Sequence, residues 1–253
     1  GTMCPSYMAT RSERDTTRAR ANMLRRYLTE DTRKTTSPEM VKEVLDLCLS
    51  CKGCKSECPS SVDVGKMKAE FTQQYYEQFG VPRRSKLIAN FSKQMKLASM
   101  APWAFNGIFG NAALRKMANK MVGFHPDRSM PHLDSVTLKS WYTKRTSPSS
   151  KSHARKVYLF CDEFTNYNDA EIGKKAVQLL EKLGYEVIIP KHVESGRSYL
   201  SKGFVKEAKN LAIQNVNLLK DLITDDAPLV GIEPSAILSF RDEYIDLVPE
   251  DLR

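Results

Sequence analysis

Between Thr16 and Leu28 the larger side chains recur at three- and four-residue steps. Arg20, Met23, Leu24, Tyr27 and Leu28 share one face, the signature of an amphipathic helix. Ser37-Pro38 predicts a second helix, because proline suits the first helical position, and Val41, Val44, Leu45 and Cys48 follow at helical spacing. A third helix is marked by Val64, Met67, Phe71, Tyr75 and Phe79 and ended by Gly80. Residues 83 to 124 continue as helices, divided by Pro102 and the glycines. Pro126, Pro131 and Pro148 then thin the pattern, and the Ser-rich stretch from Thr146 to His153 reads as a linker.

Beyond that stretch short apolar runs alternate with helical ones. Strands are predicted at Lys156 to Cys161, Glu186 to Pro190 and Pro228 to Ile232, with helices at Ala170 to Leu183 and Phe204 to Leu222. Strand and helix in alternation imply a parallel sheet with right-handed crossovers. Ligands of such sheets sit beyond the carboxyl ends of the strands, here the loops Asp162 to Tyr167, Lys191 to Gly203 and Glu233 to Ala236. The expected fold is α+β and multidomain: a helical module over 1–82, a helical connecting region over 83–145 and an α/β domain over 154–253.

Length and composition narrow the class. At 253 residues the chain has room for two cores, and 41% hydrophobic with 27% charged residues excludes a largely disordered chain, a collagen-like repeat and a multi-span membrane protein. The net charge of +9 is uneven. Residues 1–150 carry 25 Lys+Arg against 13 Asp+Glu, and residues 151–253 carry 14 against 17. A basic half suits nucleic acid, an acidic membrane surface, an acidic protein or simply water. Gly1, Thr2 and Met3 lead into Cys4-Pro5 without a secretory leader. The longest uncharged window, Leu97 to Leu114, is interrupted by Pro102, Asn106, Gly107, Gly110 and Asn111, and spanning takes about 20 apolar residues. It reads as a packed helical hairpin, with peripheral membrane contact through Trp103, Phe105, Ile108 and Phe109 as the alternative. The expected location is cytoplasmic, with attachment at the inner membrane face following from that alternative.

Five of the six cysteines stand at positions 4, 48, 51, 54 and 58, and Cys161 stands alone. Cys48 to Pro59 reads CxxCxxCxxxCP, the bacterial ferredoxin spacing for a [4Fe-4S] cluster. Thiolates two residues apart on a curling loop each reach a different iron, and soft sulfur suits iron with sulfide. Gly53 lets backbone approach the cluster, and Pro59 ends the run. In two-cluster ferredoxins the fourth cysteine of such a run serves the other cluster, so Cys48, Cys51 and Cys54 need a donor from elsewhere, and Cys4, also followed by proline, is the candidate. Cys58 then points at a cluster that this chain does not complete, and the chain is expected to begin in the middle of a two-cluster module. Zinc, disulfides and a metal-free fragment are the competing readings.

Nearly the whole chain resembles the iron-sulfur portion of FAD-linked 2-hydroxyacid oxidoreductases, the family of glycolate oxidase iron-sulfur subunits and FAD-linked D-lactate dehydrogenases. The resemblance is carried by Cys4-Pro-Ser-Tyr7 through Thr17-Arg-Ala-Arg-Ala21, by Leu45 to Asp63, by Lys66-Met-Lys-Ala-Glu70 and by Leu97 to Trp103. The last hundred residues resemble a CCG-type domain at Phe164-Thr-Asn-Tyr167, Gly196-Arg197, Leu200-Ser-Lys-Gly203, Gly231-Ile-Glu-Pro-Ser235 and Arg241-Asp-Glu243. Its cysteines are absent: Glu194-Ser195-Gly196 stands where that pattern has Cys-Cys-Gly, and Ala236 where it has cysteine. Cys161 reads as a buried structural thiol.

The resemblance implies an N-terminal ferredoxin-type module, a CCG-like α/β domain and electron transfer from a flavin through a [4Fe-4S] cluster. Cys4, Cys48, Cys51 and Cys54 are the expected ligands, with Cys58 a further metal-binding candidate. FAD is expected on a separate flavin-binding domain or subunit, since no GxGxxG fingerprint occurs here, and a quinone or carrier protein is the expected acceptor. The chain alone is expected to be inactive as an oxidoreductase. Lys52 and Lys55 would favour the reduced cluster, screened by solvent. His125, His132, His153 and His192 read as structural or surface groups. Alternatives are the iron-sulfur subunit of an anaerobic glycerol-3-phosphate dehydrogenase or a heterodisulfide-type reductase, and a nucleic-acid-binding protein with a structural cluster. The last lacks a basic reading helix or stacking motif, so no nucleic-acid partner is expected.

Overall fold

The computed structural model describes residues 4–29, 36–145 and 155–253. The reading of the first three residues, the linker Thr146 to His153 and His153 itself lie outside the described residues. The chain divides into two compact units, residues 1–82 with 200–205, and 83–199 with 206–253. Its fold is α+β, mostly helical with one small parallel sheet.

The first unit holds α1 (Pro5–Thr10), α2 (Thr17–Thr29), α3 (Pro38–Asp46), α4 (Gly53–Glu57) and α5 (Val64–Phe79). Helices α3 and α5 begin as their sequences dictate. Ser37 caps α3 by accepting from the Met40 amide, and Asp63 Oδ1 accepts from the amides of Gly65 and Lys66 to start α5. Gly80, at φ 85°, stops α5 in a backbone region that L side chains avoid. Leu24, Val41, Leu45, Val64 and Phe71 form the core joining α2, α3 and α5, and each such burial contributes about 1.5–3 kcal/mol. The hydrophobic stripe of α2 is narrower than its periodicity suggests, for Leu28 is 75% exposed.

The second unit begins with α6 (Arg83–Ala89), α7 (Phe91–Ala98), α8 (Pro102–Gly110), α9 (Ala112–Val122) and α10 (Leu138–Lys144). Pro102 opens α8 as expected, but Gly107 and Gly110 lie inside that helix. The break falls instead at Asn111, whose side chain caps α9 by accepting from the Ala113 and Leu114 amides. Helices α8 and α9 pack together, while Trp103 stays 79% exposed. Three strands follow, β1 (Arg155–Phe160), β2 (Tyr185–Ile188) and β3 (Leu229–Gly231), all parallel in the order β2-β1-β3. The connecting helices are α11 (Glu163–Tyr167) and α12 (Ala170–Lys182) before β2, α13 (Arg197–Leu200) and α14 (Val205–Leu219) before β3, with α15 (Pro234–Ile237) and α16 (Tyr244–Leu247) last. Val157, Leu159 and Val187 of the sheet and Val177 of α12 form its buried heart. Gly231, the last residue of β3, leaves room for Ile237, whose Cβ would lie 2.6 Å from one added there. Among the described residues no helix is long and apolar enough to cross a membrane.

Candidate metal centre

Helix α3 stops at Asp46, and Cys48 follows in the loop with its amide bonded to the Leu45 carbonyl. The next residues curl tightly. Ser50 and Lys52 both hold left-handed backbone, at φ 53° and 59°, and Ser61 does so beyond Cys58 at φ 53°. Such angles are uncommon outside glycine and cluster where a loop wraps a functional group. Lys52 leads into the single turn α4, which carries Cys54 against the helical core.

Cys4, Cys48, Cys51 and Cys54 line one cavity, together with Arg20, Thr17, Leu49 to Gly53, and Val64 and Gly65 at the start of α5. The space free of protein atoms there, open solvent at the mouth included, is about 460 Å³. Gly65 belongs to this wall by necessity, since a Cβ there would lie 3.0 Å from Asp63 Oδ1 and 3.4 Å from the Ser50 Cβ. Among the described residues no carboxylate or imidazole lines the cavity, and its soft sulfur donors suit iron-sulfur chemistry rather than a hard cation. Among the described residues no three His, Cys, Asp or Glu side chains could hold a single metal ion.

The thiols differ in their surroundings. Burial alone would push the Cys4 thiol up, but hydrogen bonds with Ser6 and Arg20 and the guanidinium charge leave it below its ordinary value. Cys4 Sγ lies 3.2 Å from Ser6 Oγ and accepts from Arg20 Nη1 at 2.8 Å. Cys58 lies away from the cavity wall, its thiol lowered by backbone amides, that of Val62 first, then Ser60 and Ser61. Lys68, on α5, donates to the Cys48 carbonyl at 2.6 Å, and its burial lowers its affinity for the proton. Arg20 and Lys68 are the two cations that sequence reasoning missed. Arg20 sat in plain view on the buried face of α2, where an arginine is the exception that signals a partner.

The second unit holds a buried polar network around Ser195. Ser195 Oγ donates to Glu163 Oε1 at 2.7 Å and its amide to Oε2 at 3.0 Å. Ser195 Oγ also accepts from the Arg197 amide, and the Ser195 carbonyl accepts from Tyr244 Oη. Arg197 pairs with Glu243 at 2.7 Å. Burial pushes both Glu163 and Glu194 up in pKa. Ala236 is fully buried. Cys161 is buried and its thiol is pushed up to about 12, chiefly by that burial, so it stays protonated. His192 is neutral, lowered to about 4 by burial and by the charge of Lys139, while His125 and His132 are exposed.

Residues 2–63 match the family model described as a 4Fe-4S dicluster domain. That match makes the N-terminal region an iron-sulfur domain of the dicluster type. The chain is 30% identical over 211 residues to D-2-hydroxyglutarate dehydrogenase of Escherichia coli K12, covering 81% of the chain and 21% of that protein. It is 24% identical over 281 residues to the Pseudomonas putida KT2440 protein of the same name, covering 96% of the chain and 28% of the relative. It is also similar to one subunit of the anaerobic glycerol-3-phosphate dehydrogenase of E. coli K12, at 24% over 140 residues, covering 54% of the chain and 35% of that relative. The chain thus spans about a fifth to a third of the length of these curated relatives. No solved structure matches it. It is homologous to the iron-sulfur portion of the FAD-linked 2-hydroxyacid oxidoreductases.

Proposed function

We propose that this chain is the electron-transfer portion of a flavin-linked 2-hydroxyacid dehydrogenase. It would take electrons from a flavin-binding domain or subunit and pass them singly to a quinone or carrier protein. The observation that carries the reading is the convergence of Cys4, remote in sequence, with Cys48, Cys51 and Cys54 on one cavity. These four residues would hold a [4Fe-4S] group, with Cys58 left for a second cluster. The bound group supplies a site that accepts and releases one electron with little change of shape. Around it the protein supplies a left-handed loop, the buried Arg20 guanidinium and the half-buried Lys68 ammonium, and the two cations favour an anionic guest.

The relatives' names favour a 2-hydroxyacid bearing a second carboxylate over the glycolate or D-lactate first expected. The second unit is the CCG-like scaffold in this reading, with hydrogen-bonded side chains in place of metal ligands. The likeness to a glycerol-3-phosphate dehydrogenase subunit favours a second reading, in which the flavin protein is a separate chain. Attachment to an anionic bilayer is supported by exposed Met100, Trp103 and Met121 within residues 83–128, which carry nine Lys+Arg and one Asp.

The test is iron and acid-labile sulfide per chain after anaerobic reconstitution. The wild type should hold one [4Fe-4S] cluster, and Cys4→Ser should lose it or change its spectrum. An unchanged content and spectrum in Cys4→Ser would overturn the ligand assignment. The chain alone should not turn over a 2-hydroxyacid.

A further inference from the structure

Arg20 is 1% exposed, and its guanidinium has three partners: the Val44 carbonyl at 3.2 Å, Cys4 Sγ at 2.8 Å and Ser6 Oγ at 2.7 Å. Among the described residues no carboxylate pairs with it. A buried guanidinium without an anion is expensive to keep. Arginine cannot shed its proton to escape that cost. Buried Asp15 reaches Arg20 only through Ser6, whose hydroxyl accepts from the guanidinium and donates to the Asp15 carbonyl, whereas the guanidinium touches the sulfur of Cys4 directly, on the cavity that Arg20 lines.

We propose that Arg20 is the buried counter-charge of the cluster and raises its reduction potential through the hydrogen bond to Cys4. The inference rests on the four-cysteine reading above and adds a tuning role for a residue that binds no iron. Reduction adds one negative charge to a group that is already anionic, so a fixed cation on one of its ligands favours the reduced form. Hydrogen bonds to ligand sulfur and nearby charge are the levers by which proteins set such potentials. Arg20 is shielded from water, so salt screens it far less than a surface lysine. Its third bond, to Val44 at the end of α3, fixes the guanidinium against the sulfur rather than leaving it free to swing away.

The experiment compares the wild type with Arg20→Met, Arg20→Gln and Arg20→Lys, each reconstituted anaerobically. Iron and sulfide content are measured first, then the midpoint potential by titration followed with electron paramagnetic resonance. Arg20→Met and Arg20→Gln should be at least tenfold harder to reduce at fixed potential, a shift of about 59 mV to more negative values for one electron. Arg20→Lys, which keeps the charge, should move less. Clusters with unchanged midpoints in the Met and Gln variants would overturn the proposal. If only Arg20→Lys assembles a cluster, the need for charge is supported. If all three variants lose it alike, Arg20 merely holds the loop and the proposal fails. A wild type that takes up no cluster, or a Cys4→Ser protein loaded like the wild type, would defeat the underlying reading instead.

Discussion

At the mouth of the α2-α3-α5 bundle four thiols turn toward open space, whereas beyond the strand ends of the second unit Ser195 turns inward to Glu163. The two regions spend their polar groups differently. In the first unit the loop's sulfur atoms find few partners within the protein. In the second, Glu163, Ser195, Arg197, Glu243 and Tyr244 satisfy one another. A side chain whose bonding capacity is already met offers little to a guest, and buried polar groups are kept only when so met. The contrast teaches that donors left over, more than residue type, mark a site.

The largest effect that bears on this contrast is loss of the cluster. Cys54→Ser should lower bound iron at least tenfold, and Cys161→Ala should leave it unchanged; iron lost on the second substitution would move metal binding into the wrong unit. A smaller effect comes from pH. Folded His192 resists protonation down to about 4, with Nε2 buried and unpartnered, while the unfolded chain takes the proton below about 6.5. The unfolded state therefore binds more protons in that window, and stability is lost as pH falls through it, by on the order of 3 kcal/mol. Replacing His192 by Phe, beside Phe160, should flatten the melting temperature of the second unit against pH relative to wild type, since the buried acids are common to both proteins.

Ser195→Ala removes one donor from a buried carboxylate and should cost about 2 kcal/mol in denaturant unfolding, with iron content untouched. The smallest effect is expected at Lys42, paired with Asp46 one turn along α3. Lys42→Ala should cost about 0.3–0.5 kcal/mol, measured as a shift of the denaturation midpoint.

Much of this comparison is legible in the sequence. The three strands lie within one or two residues of their predicted ends, because short apolar runs between polar helices leave little choice of period. The cysteine spacing likewise points to the cavity. Other features depend on tertiary partners and leave no periodic trace. Periodicity puts Arg20 and Leu28 on one face, but only folding shows that the arginine is inside and the leucine outside. The loop Asp162 to Tyr167 becomes a helix turn because Asp162 accepts from two amides and from Thr165 Oγ1. Glu163 and Ser195 are 32 residues apart, so their bond is invisible until β1 and β2 pair.

Ser50, Lys52 and Ser61 have a consequence for the chain's durability. Each left-handed residue stores roughly 1–2 kcal/mol that glycine would not. In the proposed reading the wrapped guest would steady this strained loop, so protein emptied of iron should be cut there by protease sooner than loaded protein.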